Sequence, residues 1–457
     1  MGIGRYLTTT LSGSVNAFMD TRYFELLPKV VPADRESVIR IRPLFQHSAF
    51  AGRPGLAVAY VRDDGGLPDG RVAGWAQFAP VPFVLEDGVL VLSCRFRGEG
   101  EHTFRVSCTE NGQAKVLADF HVYSLAADWL ALRPFKGDFH IHSHCSDGLE
   151  APAYVAASCR RIGLDFMALT DHHRYQPSLE AMAAMAALPT DLRCYPGEEV
   201  HAPGNPVHVV NFGGSFSVNE RFQDEAAFRR EVAADAEKLD GLSDPARFEV
   251  AASEWCFEQI RAGGGVSIYC HPYWRPEQRY YVSETTNDAV LDRQRFDALE
   301  VIGGFYRHEQ EANALAVARY QELRAAGRRI PVIGVSDAHG CDRDLFGWYY
   351  TIVLAPSVAF ADLAAGIRGM NSVAVEAVPG EFPRVVGPFR LVRYVYFLLR
   401  EFYPLHDARC AEEGALLLAH LAGDAQARAR LAALQGRVPE LFRSCWAGGD
   451  GQVAAAR

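Results

Sequence analysis

The stretch Asp138-Phe-His-Ile-His-Ser-His-Cys-Ser-Asp-Gly148 places three histidines, His140, His142 and His144, on alternate positions ahead of an acidic turn. On an extended strand alternate side chains share a face, so these imidazoles would point one way. Imidazoles and a carboxylate converging at a strand end suit a borderline divalent metal, whereas an apolar core gains nothing from that much unsatisfied polarity. The reading therefore turns on whether distant parts of the chain send further ligands to the same place.

Downstream of Trp129, strand patterns alternate with helix patterns, the mark of a mostly parallel sheet or barrel. Strands are expected over residues 138–142, 166–170, 193–200, 207–212, 266–270, 298–302 and 331–336. A helix is expected over 152–161, with Pro152 at its start and Gly163 past its end, and a second over 309–326, closed by Gly327. Between Gly213 and Ser253 lies a polar, charged insertion with room for helices of its own; it could cover a site or merely decorate the surface.

Every further cluster of metal-type residues falls at, or just past, one of these strands. The second strand runs into Thr170-Asp-His-His173, the third into Gly197-Glu-Glu199, the fifth into Cys270-His-Pro272, and the seventh into Ser336-Asp-Ala-His339; His208 stands alone in an apolar run. A lone histidine such as His208 is ordinarily structural. Several such clusters, each at one end of a separate strand, point instead to one shared site, as in barrel enzymes.

Taken in order, His-x-His with an aspartate five residues after the second histidine, Thr-Asp-His, Gly-x-Glu, an isolated His, His-Pro and Ser-Asp-Ala-His resemble the polymerase and histidinol phosphatase (PHP) family over roughly residues 136–355. The resemblance implies a distorted, TIM-like (β/α)7 barrel, in agreement with the seven strands read independently, and a metal-dependent hydrolase with two or three divalent ions, zinc, manganese or iron. It implies that His140, His142 and Asp337 bind a first ion and that Glu199 bridges to a second, completed by His208 and His271. Asp147, His172 and His339 would take a third. Some family members carry histidine where this chain has Asp147, which would alter metal preference at that third site. The expected nucleophile is a metal-bound hydroxide held by Glu199, Asp337 and His271, with no covalent intermediate; Ser336 is read as structural. Glu198 and Glu199 must face opposite ways on a strand, and the Gly-x-Glu spacing favours Glu199. His144 is assigned a supporting place beside the ligands.

Substrate-binding candidates come from the loops beside these ligands: Arg174, Tyr175, Trp274, Arg275 and Arg307, with arginines for phosphate oxygens and aromatics for a base or aryl leaving group. Family members are mostly phosphoesterases, so a small phosphomonoester or nucleotide is the expected partner and an oligonucleotide the larger alternative. A β-rich N-terminal domain ahead of the barrel also resembles the carbaryl-hydrolase-like branch, which cleaves a carbamate or aryl ester. A third class is a noncatalytic metal-stabilised module.

The flanks read more plainly. Short alternating runs such as Ser37-Val-Ile-Arg-Ile-Arg42 and Val89-Leu-Val-Leu-Ser-Cys94, separated by turn residues, make residues 1–131 a β-rich, sandwich-like domain. Residues 132–380 form the expected barrel, and 381–457 a C-terminal helical appendage or homo-oligomer contact. In that tail, 389–403 is apolar on more than one face and 412–434 is a good helix former. A formal net charge of −10 argues against a polyanion-binding surface. Ten cysteines without Cys-x-x-Cys spacing read as free thiols, the start Met1 to Thr10 lacks a secretion-signal pattern, and the apolar run 394–399 is too short to span a membrane. A cytoplasmic enzyme with no membrane partner is the expectation.

Overall fold

A computed structural model describes residues 19–67 and 77–447. The expectation for the first ten residues and the last ten residues of the expected 381–457 appendage lie outside the described residues. The chain divides into two units. The described part of one comprises 19–67, 77–131, 396–405 and 439–447; the other comprises 132–395 and 406–438. Residues 381–447 are thus shared between the units.

In the first unit, β1 (Phe24–Leu27), β3 (Glu36–Pro43), β6 (Phe83–Glu86) and β7 (Val89–Arg95) form one sheet in the order β1-β3-β7-β6. Strands β2 (Val30–Pro32), β4 (Ala57–Arg62), β5 (Ala79–Pro80), β8 (Gly100–Glu110) and β9 (Gln113–Leu125) form a second, ordered β2-β9-β8-β4-β5. Alternation sorts Ile39, Ile41, Leu90 and Leu92 from one sheet and Val58, Phe104, Val106 and Phe120 from the other into a single core. Its one buried imidazole, His102, is satisfied by the Tyr60 hydroxyl (2.6 Å) and Ser124 Oγ (2.7 Å), and burial pulls its pKa down to about 3. Arg400, from the tail, pairs with Glu101 at 2.5 Å.

The second unit contains two sheets. Strands β10 (Arg133–Asp138), β11 (Phe166–Ala168) and β12 (Arg193–Tyr195) run parallel, and β18 (Tyr349–Ala355), β19 (Ser372–Glu376) and β20 (Arg384–Val386) extend them antiparallel on the β10 side. The other sheet is β13 (Gly197–His201), β14 (His208–Phe212), β15 (Val266–Tyr269), β16 (Ala298–Gly303) and β17 (Val332–Val335), in that order. Two isolated bridges, Ile141 to Ala338 and His172 to Glu199, link residues beyond β10 and β11 to the other sheet.

The parallel-sheet expectation is corrected in two respects. β14 is antiparallel to both neighbours, and three antiparallel strands, β18 to β20, lie beyond those anticipated. The expected third strand is also split at Pro196, which has no N–H to give a ladder, into β12 and β13 on different sheets.

Helices α2 (Pro152–Arg161) and α7 (Glu311–Ala325) fall close to their expected positions, and the insertion carries a 3-10 turn, Asn219–Asp224, with α4 (Glu225–Ala236) and α5 (Asp244–Ala262). The single helix expected over 412–434 is instead the end of α10 (Tyr403–Leu421) followed by α11 (Ala427–Leu434). Gly423 separates them with a φ of +94°, a conformation that suits glycine. No helix among the described residues is long and apolar enough to cross a membrane, and the described cysteines form no disulfide.

Within the second unit α10 is fastened by buried charge. His406 is fully buried, with Nε2 2.8 Å from Asp165 Oδ1 and Nδ1 3.0 Å from Asp407 Oδ1. Burial alone would lower its pKa, but Asp165, with Cys410 and Asp407, raises it well above the usual value. A raised folded-state pKa contributes stability that is complete below the unfolded value of about 6.5 and is lost as pH rises through the folded one. His406→Gln should therefore cost more stability at pH 6 than at strongly alkaline pH, which urea unfolding at the two values checks; an equal penalty at both would remove the charged pair from the account.

Candidate metal centre

The strand β10 stops at Asp138, so the alternating histidines expected on it over 138–142 lie past its end. Asp138, buried and pushed up to about pKa 7 by that burial, accepts from the backbone N–H groups of Ser336 (3.2 Å) and His140 (3.3 Å), tying the two ligand-bearing segments together. Asp171 does the same for the following loop. Its carboxylate accepts from Ser143 N and Oγ (2.9 and 2.8 Å) and from Ser146 N and Oγ (3.1 and 2.6 Å). The loop turns so tightly that a Cβ on Gly148 would lie 2.6 Å from the His142 carbonyl oxygen. This turn carries His144 off the shared face: it is exposed, with Nδ1 3.2 Å from the Glu150 carbonyl oxygen, and the supporting place expected for it beside the ligands is not where it lies.

The remaining elements converge on Glu199, in the middle of β13 and buried. Its Oε2 lies 2.6 Å from His172 Nδ1, 3.4 Å from His140 Nε2 and 3.5 Å from His142 Nε2. Its Oε1 lies 2.8 Å from His208 Nδ1 and 3.5 Å from His271 Nε2. His208 arrives there because β14 runs antiparallel: its first residue pairs with His201, the last residue of β13. Asp337 Oδ1 stands 2.8 Å from His142 Nε2 and 3.3 Å from His140 Nε2. Asp147 lies 3.4 Å from His172 Nε2 and 3.3 Å from His339 Nε2, and 3.8 Å from His142 Nδ1. The backbone is strained at two of these residues, with φ of +24° at His271 and +48° at Asp337, a conformation that non-glycine residues adopt at a cost.

These atoms fit a metal better than they fit one another. His140 Nε2, His208 Nδ1 and both Glu199 oxygens are buried without a hydrogen bond, although each has an opposite partner within 3.5 Å. Close but misaligned donors and acceptors are what lone pairs aimed at a common cation look like. Burial lowers the His208 pKa to about 4, keeping it in the neutral form that a ligand needs. Burial also opposes charge on His140, but Asp337 and Glu199 raise its pKa well above the usual value, and the field that favours a proton there equally favours a divalent cation. The Glu199 carboxyl, raised by burial alone, is carried well below its usual range by His140 and His208.

Two residues that the sequence reading left out belong to this centre. Glu300, within the apolar strand β16, lies 3.0 Å from His140 Nδ1 and leaves Nε2 facing inward. His201, two residues after Glu199 and on the same strand face, lies 2.9 Å from His172 Nδ1 and 3.5 Å from Glu199 Oε1. A lone carboxylate among apolar strand residues was the available signal for Glu300, and the i+2 spacing from Glu199 that for His201. Glu198 faces the other way and holds the root of the insertion, accepting from Ser217 Oγ (2.7 Å), Val218 N (2.6 Å), Asn219 Nδ2 (2.9 Å) and Asn211 Nδ2 (3.1 Å). Ser336 is fully buried, and its backbone N–H is the group held by Asp138.

The substrate candidates are dispersed. Trp274 lies beside the centre, its ring 5.7 Å from that of His271 and 6.1 Å from His208, and Tyr281 extends this wall at 5.0 Å from Trp274 while remaining 45% exposed. Tyr175 donates its hydroxyl to the Gly214 carbonyl (2.7 Å), and Arg174 is exposed. Arg275 pairs with Glu311 at 2.8 Å, and Arg307 pairs with Glu381 and donates to the Pro379 carbonyl (2.6 Å).

No protein-family model matches the chain. Among curated proteins it is similar to the DNA polymerase/3'-5' exonuclease PolX of Bacillus subtilis, with 36% identity over 66 residues, 14% of this chain and 11% of that protein. The chain thus spans about a tenth of the length of that relative. Among solved structures it is similar to a two-domain protein from Bacteroides vulgatus containing a PHP-like metal-dependent phosphoesterase, at 20% identity and a TM-score of 0.39, covering 58% of this chain and 70% of that one. It is also similar to a protein from Bifidobacterium adolescentis that is assigned as a metal-dependent phosphoesterase, at 22% identity and a TM-score of 0.31, covering 46% and 89% of the respective chains.

Proposed function

We propose that this chain, which resembles the PHP family in the identity and order of its ligand residues, is a metal-dependent hydrolase, with a phosphomonoester or nucleotide phosphate as the preferred substrate. The observation that carries the reading is the convergence of unpaired buried donors on Glu199, which a purely structural network would have satisfied internally. His140, His142 and Asp337 would hold one ion, Glu199 would bridge it to a second shared with His208 and His271, and Asp147, His172 and His339 would hold a third. Zinc, manganese and iron all suit this donor set. Divalent ions there would polarise a substrate oxygen and bring water toward ionisation near neutral pH. In this reading residues 132–380 are the catalytic portion, and β10, β11 and β13 to β17 are the seven strands of a distorted barrel.

The protein's own groups then have separable tasks. Glu300 fixes the ring of His140, Asp138 and Asp171 fix the two loops that carry ligands, and Trp274 and Tyr281, with their rings inclined at 53° to each other, offer aromatic faces to the leaving group. That aromatic wall suits a nucleobase or an aryl group.

A second reading, hydrolysis of a carbamate or aryl ester at the same centre, draws support from Arg275 and Arg307. Both are engaged by carboxylates, so neither stands ready for a phosphate dianion. Chelator-treated protein should be inactive and should recover on addition of manganese or zinc. Assayed with p-nitrophenyl phosphate, bis-p-nitrophenyl phosphate and 1-naphthyl carbamate, the reloaded protein should turn over a phosphate ester; turnover of the carbamate alone would replace the first reading with the second.

A further inference from the structure

A neutral imidazole carries its proton on one nitrogen and a lone pair on the other, so a histidine that ligates a metal must place its proton on the far side of the ring. At this centre the far side can be followed ligand by ligand. His140 has Nδ1 3.0 Å from Glu300 Oε2. His339 has Nδ1 2.8 Å from the backbone carbonyl of Asp337, with Nε2 toward Asp147. Both are the usual arrangement, in which a carboxylate or carbonyl accepts the ring proton and fixes the tautomer.

His172 differs. With its Nε2, beside Asp147, as the metal-ligating nitrogen, Nδ1 carries the proton, and two atoms lie close enough to take it: Glu199 Oε2 at 2.6 Å and His201 Nε2 at 2.9 Å. Glu199 is not aligned to accept, since both its oxygens lack a hydrogen bond, whereas the His172 to His201 contact is aligned as one. His201 is itself held for the task. It ends β13 opposite His208, its backbone N–H donates to Asn219 Oδ1 (3.1 Å), and its side chain is mostly buried.

We propose that His201 is a positioning residue for the third ion: its Nε2 accepts the Nδ1 proton of His172 and so delivers the His172 Nε2 lone pair to the set completed by Asp147 and His339. The inference rests on the reading of the centre as metal-binding. It also gives an imidazole the place that a carboxylate takes behind His140, so that His172 is oriented without a further carboxylate beside Glu199 and Asp147.

The test compares His201→Leu, which fills the space without accepting a proton, with His201→Gln, whose side-chain oxygen can accept one. Ions bound per full-length chain are counted by elemental analysis after equilibrium dialysis against graded chelator, with circular dichroism to verify folding. His201→Leu should weaken retention of one ion by about 10–100-fold, the range for loss of an outer partner, and His201→Gln should restore most of it. In a His172→Ala background, His201→Leu should have no further effect on ion retention. Wild-type retention in His201→Leu, or a His201→Gln variant no better than His201→Leu, overturns the assignment. So does a wild-type protein that binds two ions only. A wild-type protein that binds none overturns the proposed function and this inference with it.

Discussion

Glu199→Gln is expected to lower hydrolysis by about 10³-fold or more and to empty at least one metal position, while Glu198→Gln next to it should leave ion content intact and reduce stability. Both glutamates are fully buried, and they differ only in the face of β13 on which they lie. Glu199 meets His140, His142, His172, His208 and His271 within 3.5 Å. The amide keeps the shape but removes the charge that makes those imidazoles and a dication compatible in one buried space, and it can turn an N–H₂ group toward the place of the cation. The magnitude follows from removing an electrostatic element of a preorganised site, where a single neutral donor is already worth about 10²–10³ in rate. Glu198 instead accepts four hydrogen bonds, and an amide there can keep only part of that set. Elemental analysis and kcat/KM on a turned-over substrate decide the matter: a Glu199→Gln protein with wild-type ions and rate would remove Glu199 from the centre.

The largest stability effect is expected far from that site, at Glu413 on α10. Its Oε2 meets Arg160 Nη2 at 2.8 Å, and its Oε1 accepts from the Thr190 hydroxyl and from Asp191 N (2.8 Å). Arg160 is wholly buried on α2, its other nitrogen donating to the Leu164 carbonyl (2.9 Å). Removing the carboxylate leaves the buried guanidinium with only the longer contact of Nη1 to Asp165, at 3.5 Å, for counter-charge. Breaking one side of a buried pair costs about 3–5 kcal/mol, so Glu413→Ala should lower the unfolding free energy of this unit, measured by urea titration, by that amount. A shift under about 1 kcal/mol, the range of exposed pairs, would mean that water reaches Arg160.

Much of the candidate site was legible because residues of one chemical type recur at one place in the pattern: His140, His142, His172, His271, Asp337 and His339 each stand just past a strand. What sequence could not supply was direction. Nothing in Pro206-Val-His-Val-Val210 tells that β14 runs backward, so that His208, at its start, lies at the same end as residues that follow other strands. His144 was drawn toward the centre by alternation, which fails because Asp171 gathers Ser143 and Ser146 and turns the chain. Glu300 and His201 stayed hidden for a related reason. An outer partner is recognised by what it touches, and the contacts of Glu300 with His140 bridge 160 residues.

The hold of Glu198 on Ser217, Val218 and Asn219 also marks where this protein can be rebuilt. Because those three residues are fastened to the strand bearing Glu199, and Asn205 fastens α5 through the Glu249 carbonyl and Ser253, the stretch between Asn219 and Asp244 is the interchangeable part. A graft exchanged between those two points would leave the strand that bears Glu199 in register, provided that it covers Trp255 of α5 as Phe228 does now, at 5.1 Å between rings.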